Sequence, residues 1–200
     1  MFYKLDFDME RDNKELSKGK NSIYAQQSNL KEIEYPGFKK GFFNTIIFSN
    51  CNIKNWPEVI FYYSSKASRI ESDYLINIVK WPIIHIRVMK KLQESGIKGI
   101  LYLPIKLYDV VTNTINLNYV VMYITNFIDG YDMEKSHYEY LEKYDYYTFL
   151  PGKTFLNHSI CDGYDIFRCT KNKPAIYVSQ KFKDIIDVNK FIGFRFYEHP

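Results

Sequence analysis

The segment AIYVSQKFKDIIDVNKFIGFRFYE, residues 175–198, decides the predicted fold because several structural signals follow one another in it. An apolar, strand-like run leads to Ser179, and apolar residues such as Phe182 and Ile185 follow at helix spacing. A serine at the start of a helix accepts a hydrogen bond from a free N–H of the first turn. A second strand-like run follows Gly193. The sequence therefore predicts a strand–serine–helix–glycine–strand unit.

A similar unit is predicted earlier in the chain, in VIFYYSSKASRI, residues 59–70. Here an apolar and aromatic run reaches Ser64 and Ser65, and either serine could cap a helix. Helix spacing continues through residues 70–79, a further helix is expected in IIHIRVMKKLQES, and Gly96 closes the unit. The repetition is explained either by shared local rules or by duplication.

Several other stretches are expected to form strands. The alternation of apolar and polar side chains in residues 1–9 predicts a strand with one buried face, and residues 42–50 predict another. The runs 99–111 and 115–127 are separated by a short polar turn and predict an antiparallel hairpin. Residues 10–22 are charged and rich in Gly, Ser and Asn, which is typical of a solvated loop.

Together these patterns predict the α+β class, with a mixed, largely antiparallel sheet, helices packed on it, and two strand–serine–helix–glycine–strand units. Residues 1–200 are expected to form a single domain, with a possible subdivision near residue 97 into 1–96 and 97–200.

The composition is that of a globular protein, with 46% hydrophobic and 25% charged residues. The 19 Tyr and 15 Phe favour strands, and Tyr also favours binding surfaces. Acidic and basic residues interleave to a net charge of +4 and arginine is scarce, so nucleic acid is not an expected partner.

The cellular location is also indicated by composition. Three cysteines predict reduced thiols in a cytosol rather than a disulfide framework. The N-terminal MFYKLDFDMERD carries charges where a signal peptide needs an uninterrupted apolar run, and no stretch approaches about eighteen apolar residues. We therefore expect a cytoplasmic protein with no membrane partner.

No pattern in the sequence predicts a catalytic residue, a metal ligand or a cofactor site. The serines at 64, 65 and 179 lack the glycines of the Gly-x-Ser-x-Gly nucleophile elbow. His158 and Cys161 lack a second ligand pair at a zinc-site spacing, and no glycine loop is suited to cradle phosphates. The expected function is therefore not enzymatic.

Two parts of the chain carry a longer pattern. The first has a Gly-x-x-x-x-Pro strand and then a hairpin strand that ends in Asp-x-x-Asp, and the second has Ile-Phe-Arg, an apolar strand, a serine, a short helix and Gly-x-x-Phe. They cover mostly residues 97–140 and 164–198, about half of the chain. In this order they resemble a family of bacterial immunity proteins from polymorphic toxin systems. The matching residues are Gly99, Pro104, Asn126, Asp129, Asp132, Lys135, Ser136, Ile166, Phe167, Arg168, Ser179, Phe182, Gly193 and Phe196.

The resemblance implies a non-catalytic protein that binds a cognate secreted toxin and neutralises it by occlusion. The alternatives are an enzyme that reverses a toxin's modification and a protein-binding adaptor module. Aromatic side chains often anchor tight interfaces, so we expect toxin contacts in the Tyr-rich stretch 131–147. The predicted toxin-binding residues are Tyr131, Asp132, Glu134, Tyr138, Glu139, Tyr140 and Tyr144.

Overall fold

The computed structural model of the chain describes residues 1–11, 14, 18, 20–22, 24–66, 68–70, 72–150 and 152–199. The loop predicted at 10–22 lies largely outside these ranges, and so do residues 67 and 71 of the segment after Ser65. The described strands are β1 (Phe2–Phe7), β2 (Lys20–Ser22), β3 (Tyr24–Ala25), β4 (Gln27–Ser28), β5 (Ile60–Tyr63), β6 (Ser68–Ile70), β7 (Tyr74–Asn77), β8 (Ile83–His85), β9 (Ile100–Pro104), β10 (Lys106–Asp109), β11 (Thr114–Asn116), β12 (Tyr119–Ile124), β13 (Phe127–Ile128), β14 (Tyr138–Leu141), β15 (Tyr146–Phe149), β16 (Ile166–Cys169), β17 (Asn172–Ser179) and β18 (Phe194–His199). The described helices are α1 (Ile86–Glu94), α2 (His158–Cys161) and α3 (Gln180–Val188), with the 3-10 helices η1 (Phe43–Phe48) and η2 (Glu142–Tyr144).

The predicted α+β class, with helices packed on a sheet, is wrong, because the described chain is built mainly from strands. These form two five-stranded sheets, a four-stranded sheet and two two-stranded pairs. Helices are few and short: α1 and α3 have nine residues each, and α2 has four. Parallel and antiparallel pairings are mixed, as expected.

The first five-stranded sheet, which we call the β1 sheet, has the order β13-β16-β17-β1-β18. Both neighbours of β1 are antiparallel to it, and Phe2 lies opposite Ser179 of β17. The alternation predicted for β1 is confirmed: Tyr3 and Leu5 are buried on one face in a cluster with Phe182 of α3. Phe2 belongs to a different cluster on the opposite face.

The second five-stranded sheet has the order β3-β7-β8-β12-β9 and contributes to a separate core. Every residue of β12 is buried, and Trp81 and Phe61 lie at the centre of the core. The four-stranded sheet, in the order β11-β10-β5-β4, covers this core through Phe61 of β5 and Leu107 of β10. The hairpin predicted between residues 99 and 127 is confirmed, since β10 pairs with β11 and β9 pairs with β12, both antiparallel.

The strand predicted at residues 42–50 is wrong, because Phe43–Phe48 form the 3-10 helix η1. Its buried residues are Phe43, Ile46 and Ile47. In a 3-10 helix residues three apart lie on the same side, so Phe43 and Ile46 face the core together. A short apolar run does not by itself distinguish this arrangement from a strand.

In the first predicted serine unit the helix expected through residues 70–79 is wrong, because no helix follows Ser65 among the described residues up to 79. The further helix expected in residues 83–95 is confirmed as α1. Tyr74–Asn77 form β7, which pairs with β3 on one side and β8 on the other. Tyr74 and Leu75 are both buried, although neighbouring strand residues point to opposite faces. A strand buried on both faces has a continuous apolar run, and here that run also satisfies helix spacing.

The second unit has the predicted order of elements. The Ser179 hydroxyl accepts a hydrogen bond from the Phe182 N–H (3.3 Å) at the start of α3, and Phe182 and Ile186 are buried on the sheet side of the helix. Gly193 then leads into β18, which pairs with β1. Residues 175–198 thus follow their local sequence signals closely.

Candidate functional site

The strands β14 and β15 form an isolated two-stranded hairpin, residues 138–149, which we call the aromatic hairpin. Tyr138 lies opposite Phe149, and Tyr140 lies opposite Tyr147. All four residues of β14 are exposed. η2 forms the turn, which ends at Asp145 in the left-handed backbone conformation (φ 47°).

The aromatic hairpin has two faces of different chemistry. Since side chains alternate along a strand, Tyr138, Tyr140, Tyr147 and Phe149 share one face. Their rings are in contact, with centroid distances of 4.7 Å for Tyr140–Tyr147 and 6.0 Å for Tyr138–Phe149. The opposite face carries Glu139, Leu141, Tyr146 and Thr148.

The base of the aromatic hairpin is held against the β1 sheet by Tyr131. Its ring lies 4.4 Å from the ring of Phe149, and its hydroxyl is hydrogen-bonded to the hydroxyl of Tyr177 in β17 (2.8 Å). Burial raises the pKa of both tyrosines well above the usual 10, so both stay protonated at neutral pH. Backbone hydrogen bonds from His137 to Lys153 and from Leu150 to His137 close the base.

The structure places the seven predicted residues in three environments. Tyr131 is only 3% exposed, so it supports the hairpin from inside. Asp132 is partly buried and accepts a hydrogen bond from Lys135 Nζ (2.7 Å), which lowers the carboxyl pKa, and Glu134 is exposed nearby. The remaining four residues lie on the exposed aromatic hairpin: Tyr138, Glu139, Tyr140 and Tyr144.

Two residues of the hairpin surface were missed by the sequence analysis. Tyr146 is 52% exposed, and Leu141 is 38% exposed on the same face. The signal that would have found them is the period of two across 138–149, once both strands are recognised and their register is known. Tyr140 was predicted, and its hydroxyl donates to Asp145 (2.9 Å), which raises the tyrosine pKa and braces the turn.

The residues of the longer sequence pattern are mostly structural. A side chain at Gly99 would place its Cβ 2.9 Å from Cγ of Asn126 and closer still to Nδ2. The Asn126 amide in turn donates to the carbonyl of Ile166 (2.9 Å), and the Arg168 N–H donates to the Asn126 carbonyl (2.9 Å). These residues join the two five-stranded sheets where the chain passes from one to the other.

The hydroxyl of Ser179 is engaged with structural partners. It lies 3.3 Å from an Asp165 carboxylate oxygen and 3.3 Å from the Phe182 nitrogen that it caps. Among the described residues no cluster of His, Cys, Asp and Glu is suited to hold a metal ion. Within the same residues, none of the helices has the length and apolar character that a membrane span requires.

The sequence matches the model of an immunity protein family over residues 1–199. The chain therefore belongs to the immunity protein family Imm11, which confirms the resemblance found in the sequence. A comparison with curated proteins gave no match.

Proposed function

We propose that this immunity protein neutralises a cognate toxin of a polymorphic toxin system by binding it, without catalysis, in the cytoplasm of the producing cell or its siblings. The observation that carries the proposal is the aromatic hairpin. It exposes several tyrosines, and buried contacts at its base hold it against the β1 sheet. Occlusion of the toxin's active surface is the proposed mechanism.

The tyrosines of the aromatic hairpin are suited to anchor a protein interface. Tyr138, Tyr140 and Tyr146 are 43–52% exposed, and Tyr144 at the turn is 69% exposed. Tyrosine supplies a large contact area with few rotatable bonds, so little conformational entropy is lost on binding. Cross-strand pairing and the Tyr140–Asp145 hydrogen bond hold these rings in place before a partner arrives.

The charges of the aromatic hairpin favour a partner surface with basic groups. Glu139, Glu142 and Asp145 lie on it together with one lysine, Lys143. Opposite charges across an interface steer the encounter and fix its register. We therefore expect the rate of association with the toxin to fall as salt is added.

Stoichiometry distinguishes binding from an enzymatic reversal of toxin damage. The toxin domain encoded beside this gene is incubated with increasing amounts of the immunity protein, and residual toxin activity is measured. Protection that becomes complete only at equimolar ratio or above supports the proposal. Full protection by a small fraction of an equivalent would establish turnover and contradict it.

The placement on the aromatic hairpin is tested by alanine substitution. We expect Tyr144→Ala and Tyr140→Ala each to raise the Kd for the toxin domain about tenfold or more, since truncated aromatic anchors often cost over about 1.4 kcal/mol. Tyr24→Ala is the matched control, because Tyr24 is an exposed strand tyrosine in β3. If the hairpin variants keep both the wild-type affinity for the toxin and the wild-type unfolding midpoint, the toxin does not bind the aromatic hairpin.

A further inference from the structure

Three neighbouring clefts beside the aromatic hairpin share lining residues, and together we call them the groove. The first, of about 570 Å³, lies between η1, the hairpin turn and the connection from β16 to β17. The second, of about 200 Å³, lies over β1 and β17, and the third, of about 580 Å³, lies between β1, β18 and the base of the hairpin. Asn172 lines all three clefts, so they lie next to one another.

Lys4 and Asp6 of β1 line the second and third clefts, and they point to the face of the β1 sheet opposite Tyr3, which packs against α3. The second cleft also reaches the α3 side of the sheet, because Leu5 and Ile176 line it. The walls at the two ends of the groove are aromatic. Phe48, Tyr146 and Tyr147 line the first cleft, and Phe149, Tyr177 and Tyr197 line the third.

The centre of the groove is cationic. Lys4 and Lys80 line the second cleft, and Lys173 lines the adjoining part of the first. All three lysines are exposed, and none of them forms an ion pair with a described residue. Asp6 is the acidic residue that lines the second cleft with them.

A buried cation, Arg168, lies next to this part of the groove. Its side chain is 1% exposed, and Nη1 donates to the carbonyls of Lys173 (2.6 Å) and Pro174 (2.9 Å). The guanidinium carbon is 5.3 Å from the ring of Phe48 in the groove wall. Among the described residues no carboxylate pairs with Arg168, and its Nε has no hydrogen-bond partner.

The charge of Arg168 persists at neutral pH. Burial lowers the pKa of its guanidinium to about 10, which is still far above physiological pH. A buried charge without a counter-ion is costly, and its field reaches further in a medium of low dielectric constant than in water. The field adds to that of the three lysines at the surface near it.

The far end of the groove offers an unsatisfied polar atom. Nε2 of His199 is buried and has no hydrogen-bond partner, although the residue lines the third cleft. Burial and the charge of Lys4 lower the pKa of His199 to about 4, so the ring is neutral at physiological pH.

We propose that the groove binds an extended, acidic segment of the cognate toxin, with carboxylates opposite Lys4, Lys80 and Lys173. The inference rests on the proposed function, because it names the part of the toxin that this surface recognises. Tyr146 and Tyr147 belong both to the aromatic hairpin and to the groove wall, so a toxin that grips the hairpin also lies over the groove.

A protein segment fits the charges of the groove better than a nucleic acid does. Asp6, Asp145 and Glu198 line it at intervals. A phosphate backbone carries a negative charge at every nucleotide and would meet these carboxylates. A peptide can place its acidic side chains only where the lysines are.

Charge reversal tests the inference. The probe is a catalytically inactive variant of the toxin domain encoded beside this gene, titrated against the full-length immunity protein by calorimetry. At about 50 mM salt we expect Lys4→Glu combined with Lys173→Glu to raise the Kd about a hundredfold, and less at higher salt. Unfolding midpoints of the variants are measured in parallel, and they should stay close to that of the wild type because both lysines are exposed.

The matched control reverses two exposed lysines on the other side of the β1 sheet. Lys90 lies on α1, which packs against α3, and Lys98 follows that helix. The Lys90→Glu and Lys98→Glu pair changes the net charge equally, and we expect it to change Kd less than about threefold. If both double variants raise the Kd for the toxin domain equally, the change in net charge alone explains the weaker binding, and the inference is overturned.

The remaining outcomes separate this inference from the proposed function. If the wild-type protein forms no complex with the toxin domain, the proposed function itself fails. If the wild type binds and the groove variants bind as well as it does, only the groove is refuted. A third outcome is that the wild type binds a labelled single-stranded oligothymidylate and the groove variants do not, while their affinity for the toxin is unchanged. That result would assign the groove to nucleic acid and would also refute the inference.

Discussion

The segments around Ser65 and Ser179 both follow an apolar strand, and both lead into apolar residues at helix spacing, yet only the second becomes a helix. At Ser179 the hydroxyl caps α3, and that helix buries one stripe, Phe182 and Ile186, on the β1 sheet. At Ser65 the backbone N–H donates to the carboxylate of Asp109 at the end of β10 (3.1 Å).

The difference between the two segments comes from their neighbours. Residues 74–77 lie between β3 and β8, and both of their faces are buried, so strand pairing satisfies the backbone and the side chains together. Residues 180–188 have a sheet on one side only, and the opposite side is exposed. An amphipathic helix suits that environment, because its polar stripe remains in water.

The largest expected loss of stability is at Gly193, the glycine that closes the second unit, and Gly96 at the end of the first unit serves for comparison. In Gly193→Ala the new Cβ would lie 2.7 Å from the Tyr74 carbonyl oxygen and closer still to Ser72 Oγ, at φ +96°. We expect the free energy of unfolding to fall by about 3 kcal/mol, measured by urea denaturation. Gly96→Ala is the control, because Gly96 also has a positive φ (+70°) but nothing within 4 Å of its Cβ position. A loss of about 1 kcal/mol is expected there, and equal losses at both sites would refute the role of close packing at Gly193.

The next largest loss of stability is expected at Asp109, whose carboxylate holds the segment around Ser65. Asp109 is buried and accepts hydrogen bonds from the Ser65 and Val111 N–H groups and from the Thr112 hydroxyl (2.7 Å). Burial alone would raise its pKa, but a hydrogen bond from the Ser65 hydroxyl, together with these three, outweighs burial and lowers the pKa to about 2. We expect Asp109→Asn to lower the free energy of unfolding at neutral pH by about 2 kcal/mol.

The pH dependence of that loss follows from the direction of the pKa shift. The folded pKa lies below the unfolded value of about 4, so the stabilisation by Asp109 is complete above pH 4 and declines as the pH falls towards 2. The difference between wild type and Asp109→Asn should therefore shrink over this interval in urea titrations at several pH values. A difference that is constant with pH, or one equal to that of the exposed-site control Glu32→Gln, would contradict the account.

A smaller effect is expected at the helix cap. Ser179→Ala removes the acceptor for the Phe182 N–H and should cost about 1 kcal/mol, measured by the same denaturation. Ser179→Thr keeps a hydroxyl and should retain most of the stability. If both variants lose the same amount, the hydroxyl is not what starts α3.

The smallest effect is expected at Ser65. Ser65→Ala removes a hydroxyl that also hydrogen-bonds to Asp109, but it keeps the backbone N–H that donates to the same carboxylate, so the loss should be about 0.5 kcal/mol. A loss larger than that of Ser179→Ala would reverse the contrast between the two serines. It would mean that the side chain of Ser65 contributes more than its backbone N–H to holding the first segment at Asp109.

Some elements could be predicted because their signals are local. The alternation in β1 shows which of its faces is buried, the polar turn indicates the β10–β11 hairpin, and Ser179 marks the start of α3. The errors fall where local signals are ambiguous. Residues 43–48 and 74–77 are short apolar runs, and a helix and a doubly buried strand both accommodate such a run.

The candidate site shows the same division. The density of acidic and aromatic residues indicated an exposed segment, and Tyr138, Tyr140 and Tyr144 are indeed exposed. Tyr131 belongs to the same stretch of sequence but is buried against Tyr177, a contact across 46 positions that composition does not reveal. Whether the exposed residues bind the toxin stays a prediction.

The sequence by itself determined the family, the strands with clear alternation, the capped helix α3 and the tyrosine-rich segment, because each depends on residues close together in the chain. The tertiary structure decided that residues 74–77 form a strand, that Tyr131 is buried, and that Lys4, Lys80 and Lys173 line neighbouring clefts near Arg168. The physical reason is that burial and electrostatic fields depend on which segments become neighbours in space, and chains from distant positions supply those neighbours here.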